Sequence, residues 1–90
     1  MPDFQGILAS QPEKYFRRTD VPTAKRLQEC FSQLEINPLF SFGKVKKIQG
    51  QDTLFRYRVG SLRVVYEVDF QNQRVHVVAI FPRGDIYKKI

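Results

Sequence analysis

From Leu54 to Phe81 the apolar residues recur at nearly every second position, and this run constrains the fold more than any other part of the chain. A period of two marks strands with one buried face. Three strands are expected, over Leu54–Val59, Leu62–Asp69 and Arg74–Phe81. Gly60-Ser61 between the first two suits a two-residue hairpin loop, with glycine supplying a positive φ. Such a loop sets Val59 opposite Leu62, Arg58 opposite Arg63, Tyr57 opposite Val64 and Arg56 opposite Val65. Opposed residues share a sheet face. One face is then Phe55, Tyr57, Val59, Leu62, Val64, Tyr66 and Val68, all apolar or aromatic. A second hairpin closed near Gln71-Asn72 adds Val75, Val77, Ala79 and Phe81 to it. The other face holds Arg56, Arg58 and Arg63, with Val65, Val78, Ile80, Glu67 and His76, and Ile80 falls opposite Arg63.

An apolar sheet face needs a cover, and the first half of the chain supplies it. Phe4–Ala9 reads as a short edge strand. Ser10 and Glu13 have the spacing of a capping box, with Pro12 tolerated in the first turn of a helix reaching about Arg18. Thr19 or Asp20 caps a second helix with Pro22 in its first turn. Its apolar stripe is Val21, Ala24, Leu27, Cys30, Phe31 and Leu34. Asn37-Pro38 ends it, because a residue before proline avoids the helical region. Residues 39–53 read as a loop. The expected architecture is α+β in the order β-α-α-β-β-β, one domain over residues 1–90. Its sheet is mainly antiparallel, with two helices packed on one face.

Charge is distributed unevenly. Residues 1–43 hold five Lys/Arg and five Asp/Glu, whereas residues 44–90 hold ten and four, so the net +6 lies wholly in the second half. That asymmetry suggests a polyanionic partner, with solubilising surface charge as the plain alternative. No apolar run approaches the roughly 18 residues of a membrane span, and the start lacks the pattern of a secretory signal. The single cysteine, Cys30, excludes an internal disulfide. A cytoplasmic protein with no membrane partner and no cofactor is expected.

Chemistry is most concentrated on the arginine face. Arg58 opposite Arg63 costs stability, since like charges across a ladder repel. Either these side chains splay into water, or they cradle phosphate, which guanidinium grips with paired donors. The exit from the last strand, Pro82-Arg83-Gly84, releases Arg83 and then Tyr87 near the same cluster. A basic groove rimmed by tyrosine suits RNA, whose bases stack on aromatic rings. Lys44, Lys46 and Lys47 are either a solvated run or further phosphate contacts. His76 beside Glu67 reads as structural, Asp69 with Arg74 as a surface ion pair, and Cys30 as packing. No residues show metal-ligand spacing, a glycine-rich phosphate loop or a nucleophile-and-base motif.

The segment Tyr57-Arg58-Val59-Gly60-Ser61-Leu62-Arg63-Val64-Val65-Tyr66-Glu67-Val68, with Val78-Ala79-Ile80-Phe81-Pro82-Arg83-Gly84-Asp85-Ile86-Tyr87 after it, resembles the RelE/ParE toxin superfamily. The family pattern there is Tyr-Arg-x-Arg-x-Gly-Asp-Tyr-Arg-x-x-Tyr, then a strand ending near an arginine and a tyrosine. Lys47-Ile48-Gln49-Gly50 is similar to the stretch that precedes it, and Ser61-Leu62 departs from the Asp-Tyr of the turn. The resemblance, on its RelE side, implies a toxin of a type II toxin–antitoxin system. Such a toxin is a ribosome-dependent endoribonuclease, neutralised by a cognate antitoxin. It implies catalytic roles for Arg58, Arg63, Arg83 and Tyr87, with Arg56 among the RNA contacts. The implied reaction is metal-independent attack by the substrate's own 2′-OH on the adjacent phosphorus. Arginines would stabilise the developing charge, and Tyr87 is the best protein candidate for the base. Two alternatives share the fold, a ParE-like toxin that inhibits DNA gyrase and an inactive, toxin-derived binding protein.

Overall fold

The computed structural model describes residues 3–39, 44–48, 50 and 53–82. The elements are β1 (Gln5–Leu8), α1 (Ser10–Arg18), α2 (Val21–Ile36), β2 (Val45–Lys47), β3 (Leu54–Val59), β4 (Leu62–Asp69) and β5 (Arg74–Pro82). They form one five-stranded sheet in the order β1-β5-β4-β3-β2. Three neighbouring pairs are antiparallel, and β1 lies parallel to β5. The expected β-α-α-β-β-β order is present, with β2 added inside the stretch read from sequence as a loop. That three-residue strand escapes a periodicity test because it spans too few positions to show alternation.

Gly60 takes φ +56°, and the β3–β4 register is the expected one, from Val59 opposite Leu62 to Arg56 opposite Val65. The covered face packs Leu27, Cys30 and Leu34 of α2 onto Phe55, Tyr57, Val64, Tyr66, Val68, Val75 and Val77. Phe55 and Tyr66 stack at 5.8 Å between ring centroids, and Phe16 meets Phe31 at 5.8 Å, joining α1 to α2. The buried Tyr66 hydroxyl donates to the Pro38 carbonyl, just past the end of α2. Burial raises the phenol's pKa, so the hydroxyl stays a donor. Val21, expected on the core stripe of α2, is 69% exposed because it stands at the helix's first turn, beyond the sheet.

The register of β5 departs from expectation. Tyr66 faces Val77, but Val65 faces Ala79, so Val78 is an extra residue, a β-bulge. Past the bulge every residue of β5 changes sides. Ile80 faces Val64 and is fully buried in the core, and Phe81, not Ile80, stands opposite Arg63. Ala79 and Phe81 therefore belong to the arginine face. The run Val77-Val78-Ala79-Ile80-Phe81 is apolar throughout, so its pattern cannot reveal a slip of one position.

The bulged half of β5 has a second distinctive contact. β1 ends at Leu8, Ala9 N–H donates to the Val77 carbonyl at 2.9 Å, and the chain leaves into α1. Gln11 takes over as edge partner. Its Nε2 donates to the Ile80 carbonyl and its Oε1 accepts from the Ile80 N–H, both at 2.7 Å. The amide thus mimics one residue of a missing strand. It also explains the start of α1. The N-cap is Ala9, with no side-chain cap, and Ser10 is already helical, so the expected Ser10–Glu13 capping box is not formed.

At the outer edge of β1, the Glu35 carboxylate accepts from Gly6 N–H at 2.8 Å, and the Glu35 carbonyl accepts from Phe4 N–H at 2.9 Å. A Cβ on Gly6 would lie 3.2 Å from that carboxylate oxygen, so glycine permits the approach. The β4–β5 connection is a four-residue turn over 70–73, longer than the pair expected, and Gln73 has φ 53°. Asp69 accepts from Asn72 N–H at 3.1 Å and Nδ2 at 2.9 Å, so its carboxylate braces the turn instead of pairing with Arg74.

Two stability predictions arise here. Gln11→Ala leaves the Ile80 N–H and carbonyl without this partner, and should cost about 1–3 kcal/mol in urea unfolding. Gln11→Glu should recover only part of that, because a carboxylate cannot donate to the Ile80 carbonyl. At α2, Asp20 is the N-cap, accepting from the Thr23 N–H at 3.1 Å and the Thr23 hydroxyl at 2.7 Å. The hydroxyl first, and then the N–H, hold its pKa below the ordinary 3.8. The ionised cap therefore stabilises the fold fully above 3.8 and less as pH falls through the lowered folded value. Asp20→Ala should lower Tm at pH 7, and the gap to the parent should close in the acid range below 3.8.

Candidate nucleic-acid interface

The face of the sheet away from the helices is organised by two rows across the strands. Lys46 of β2 opposes Arg56 of β3, which opposes Val65 and then Ala79. Two residues nearer the hairpin, Arg58 of β3 opposes Arg63 of β4, which opposes Phe81 of β5. Four cations thus occupy adjacent positions in two like-charged pairs. Opposed Cα atoms in such ladders are about 4.5–5.5 Å apart, and successive rows about 7 Å. The sheet core beneath prevents these backbones from separating. Spreading of the side chains, solvent or a bound anion each relieves the repulsion.

The three arginines are not equivalent. Arg58 is exposed. Arg63 is half-buried, and its Nη1 donates to the carbonyls of Gly60 at 3.1 Å and Leu62 at 2.9 Å, folding back over the hairpin. Arg56 is half-buried beside the buried Val65, which is 1% exposed although it faces away from the helices. The next row along, Leu54, Glu67 and His76, carries a carboxylate and an imidazole, so the strongly basic zone is confined to the hairpin end.

Of the residues assigned from sequence, Arg56, Arg58, Arg63 and Lys46 come together. Lys46 joins because β2 exists. Strand alternation places Lys47, opposite Phe55, towards the helix side, and Lys44 lies beside α2, close enough to Cys30 to oppose the rise in its pKa. Arg83 and Tyr87 lie outside the described residues. Phe81, expected on the covered face, is turned by the bulge to the arginine face, where it stands opposite Arg63. Cys30 behaves as core: burial pushes its thiol pKa up to about 12. Among the described residues no three His, Cys, Asp or Glu side chains come together as a metal site.

In chemical terms the surface can hold phosphate oxygens on guanidinium and ammonium donors, with an aromatic ring at its edge for a base. Arginine cannot serve as a base near neutral pH, so Lys46, Arg56, Arg58 and Arg63 can bind and stabilise charge without accepting a proton.

Comparison with known proteins gives a consistent result. Residues 7–87 match the family model described as ParE toxin of type II toxin-antitoxin system, parDE. No curated protein sequence matches. Among solved structures, a chain of the archaeal RelE–RelB complex from Pyrococcus horikoshii OT3 is 25% identical with a TM-score of 0.81, covering 91% of this chain and 97% of that one. The free E. coli toxin RelE, as an arginine-to-alanine mutant, is 17% identical with a TM-score of 0.75, covering 99% of this chain and 94% of its own. A YoeB/ParE toxin from Agrobacterium tumefaciens is 18% identical with a TM-score of 0.74, covering 88% and 98%. The two less identical structures speak to the fold alone. The family match spans nearly the whole chain and includes both cationic rows, and the chain belongs to the ParE toxin family of type II toxin–antitoxin systems, within the RelE/ParE superfamily.

Proposed function

We propose that this toxin acts as a ribosome-dependent endoribonuclease on messenger RNA in the decoding site. The observation that carries the reading is the pair of like-charged rungs, Lys46–Arg56 and Arg58–Arg63, on the sheet face away from the helices, with Phe81 opposite Arg63. A surface that brings four cations together is suited to a ligand that supplies several phosphates. The 2′-OH of one nucleotide would attack the adjacent phosphorus, the 5′-oxygen would leave, and a 2′,3′-cyclic phosphate would remain. Arg58 and Arg63 would stabilise the charge gathering on the phosphoryl oxygens. Arg83 and Tyr87 are proposed to complete the site, Arg83 at the leaving oxygen and Tyr87 as stacking group or proton acceptor. Lys46 and Arg56 would position the neighbouring phosphates, with Lys44 and Lys47 as outer contacts.

A second reading is favoured by the family model itself, whose description is of ParE toxins. In it the chain binds DNA gyrase and cleaves nothing. A ribosome-programmed cleavage assay with mapped message ends, run beside a gyrase supercoiling assay, separates the two. Cleavage with no effect on supercoiling is expected, and supercoiling inhibition without cleavage would overturn the proposal.

The toxin is also proposed to have an antitoxin partner, by analogy with the RelE–RelB complexes of Pyrococcus horikoshii and Methanococcus jannaschii. The net +6 favours an acidic one. Co-expression with an acidic protein encoded by a neighbouring gene should give a co-purifying pair and relieve growth arrest.

Arg58→Ala should slow single-turnover cleavage by about 10²-fold or more, the scale of a lost charge-stabilising donor. Its thermal stability should stay level or rise, because the repulsion with Arg63 is gone. Arg63→Ala should slow cleavage similarly but lose some stability, since Arg63 also ties down the Gly60 and Leu62 carbonyls. Phe81→Ala should weaken RNA binding by about 1–3 kcal/mol if a base stacks there. Parent-rate cleavage by both arginine variants would remove this face from the mechanism.

A further inference from the structure

A second concave surface lies on the helix side of the sheet, between α2 and the hairpin end of β3. It is a groove of about 700 Å³, within the range of small-ligand sites. Its floor is Cys30, Tyr57 and Val59, all at least nine-tenths buried. Its rim carries Arg26, Lys44 and Arg58 against a single carboxylate, Glu29, with Gln33 one helical turn further along α2. Arg26 and Glu29 are three residues apart on one helix and do not form an ion pair. Among the described residues the side chains of Arg26, Glu29, Gln33 and Lys44 have no hydrogen-bonded or ionic partner. Polar groups ring an aromatic and aliphatic floor, and they are not spent on one another.

The groove is continuous with the arginine face. A Cβ on Gly60 would meet Arg26 Nη1 at 3.5 Å, so that guanidinium overhangs the hairpin turn from the helix side. Arg63 Nη1 holds the Gly60 carbonyl at 3.1 Å, and Arg63 belongs to the opposite face. Cationic surface therefore wraps around the turn from one side of the sheet to the other, with Arg58 lining the groove as well as facing Arg63.

We infer that this groove is a binding subsite for a single ribonucleotide, its phosphate held by Arg26 and Lys44 and its base laid on the floor of Tyr57, Val59 and Cys30 within reach of Glu29 and Gln33. The three cations against one carboxylate select an anion. The aromatic and aliphatic floor and the volume suit a base and sugar better than a bare carboxylate side chain. Glu29 accepts from exocyclic amino groups and Gln33 both donates and accepts, so the pair can read a base edge. The ligand class rests on the RNA reading proposed above, but Arg26, Lys44, Glu29 and Gln33, which would hold the nucleotide, have no part in the proposed cleavage step, and the test needs no ribosome.

Titration of the free, full-length chain with each ribonucleoside 5′-monophosphate, followed by amide NMR, tests the inference. At least one nucleotide should shift the amides of Glu29, Cys30, Gln33 and Tyr57, and the matching nucleoside should bind about tenfold more weakly or worse. Arg26→Ala and Lys44→Ala should each weaken nucleotide binding about tenfold, the scale of one charge-assisted hydrogen bond. Lys25→Ala, an exposed neighbour outside the groove, should leave it unchanged. The amide spectra themselves report whether each variant is folded. Absence of shifts at these four amides with every nucleotide would overturn the inference. So would binding indifferent to both Arg26→Ala and Lys44→Ala, or binding of a hexaglutamate peptide there while no nucleotide binds, which would make the groove a protein-docking site. Nucleotide binding in a chain that cleaves nothing would sink the nuclease reading alone. Cleavage by a chain whose groove takes no nucleotide would sink this inference alone.

Discussion

The left-handed turn at Gly60 fixes on which side of the sheet every residue of β3 and β4 stands. With φ +56° there, two residues close the hairpin and Val59 must face Leu62. The buried face and the cationic face are then two outcomes of one register. A slip of a single position would turn Tyr57, Val64 and Tyr66 into water and drive Arg56, Arg58 and Arg63 under α2. Burying three guanidiniums without partners costs several kcal/mol each, together enough to consume the domain's margin of stability. The arginines thus help specify the register they burden, because the alternative register is worse for them than mutual repulsion.

Local chemistry made much of this legible. Asp20 with Pro22, Asn37-Pro38 and Gly60-Ser61 are boundary signals that depend only on neighbours in sequence, and the structure honours each of them. The core stripe Leu27, Cys30 and Leu34 and the alternation of β3 and β4 are equally readable. What could not be read depended on partners distant in sequence. The Val78 bulge sits in a run with no polar residue to mark its faces, and it decides whether Ile80 or Phe81 neighbours Arg63. Strand β2 exists because β3 offers it an edge, not because three residues have a pattern. Ser10 looks like a cap, but Ala9 takes that position because Ala9 must first bond to Val77.

The same division holds for the candidate site. Arg56, Arg58 and Arg63 followed from the hairpin register. Lys46 needed β2, Phe81 needed the bulge, and Arg26 needed the packing of α2 over the turn. Nothing in the local pattern distinguishes Arg26 from Lys25 beside it, since both are polar positions on an amphipathic helix. Only the distance from Arg26 to Gly60 separates them.

Glu35 has a bearing on how the protein lives in a crowded solution. An open sheet offers two edges, and unpaired N–H groups along an edge invite a strand from another molecule. On β1 the Glu35 side chain occupies the Gly6 N–H, and its backbone occupies that of Phe4. An incoming strand would have to displace a carboxylate and approach its charge. On β2 the edge is three residues long and bears Lys46 and Lys47, which repel a second copy of themselves. One edge is stoppered by an anion and the other guarded by cations. The sheet can therefore carry a basic face without inviting edge-to-edge polymerisation.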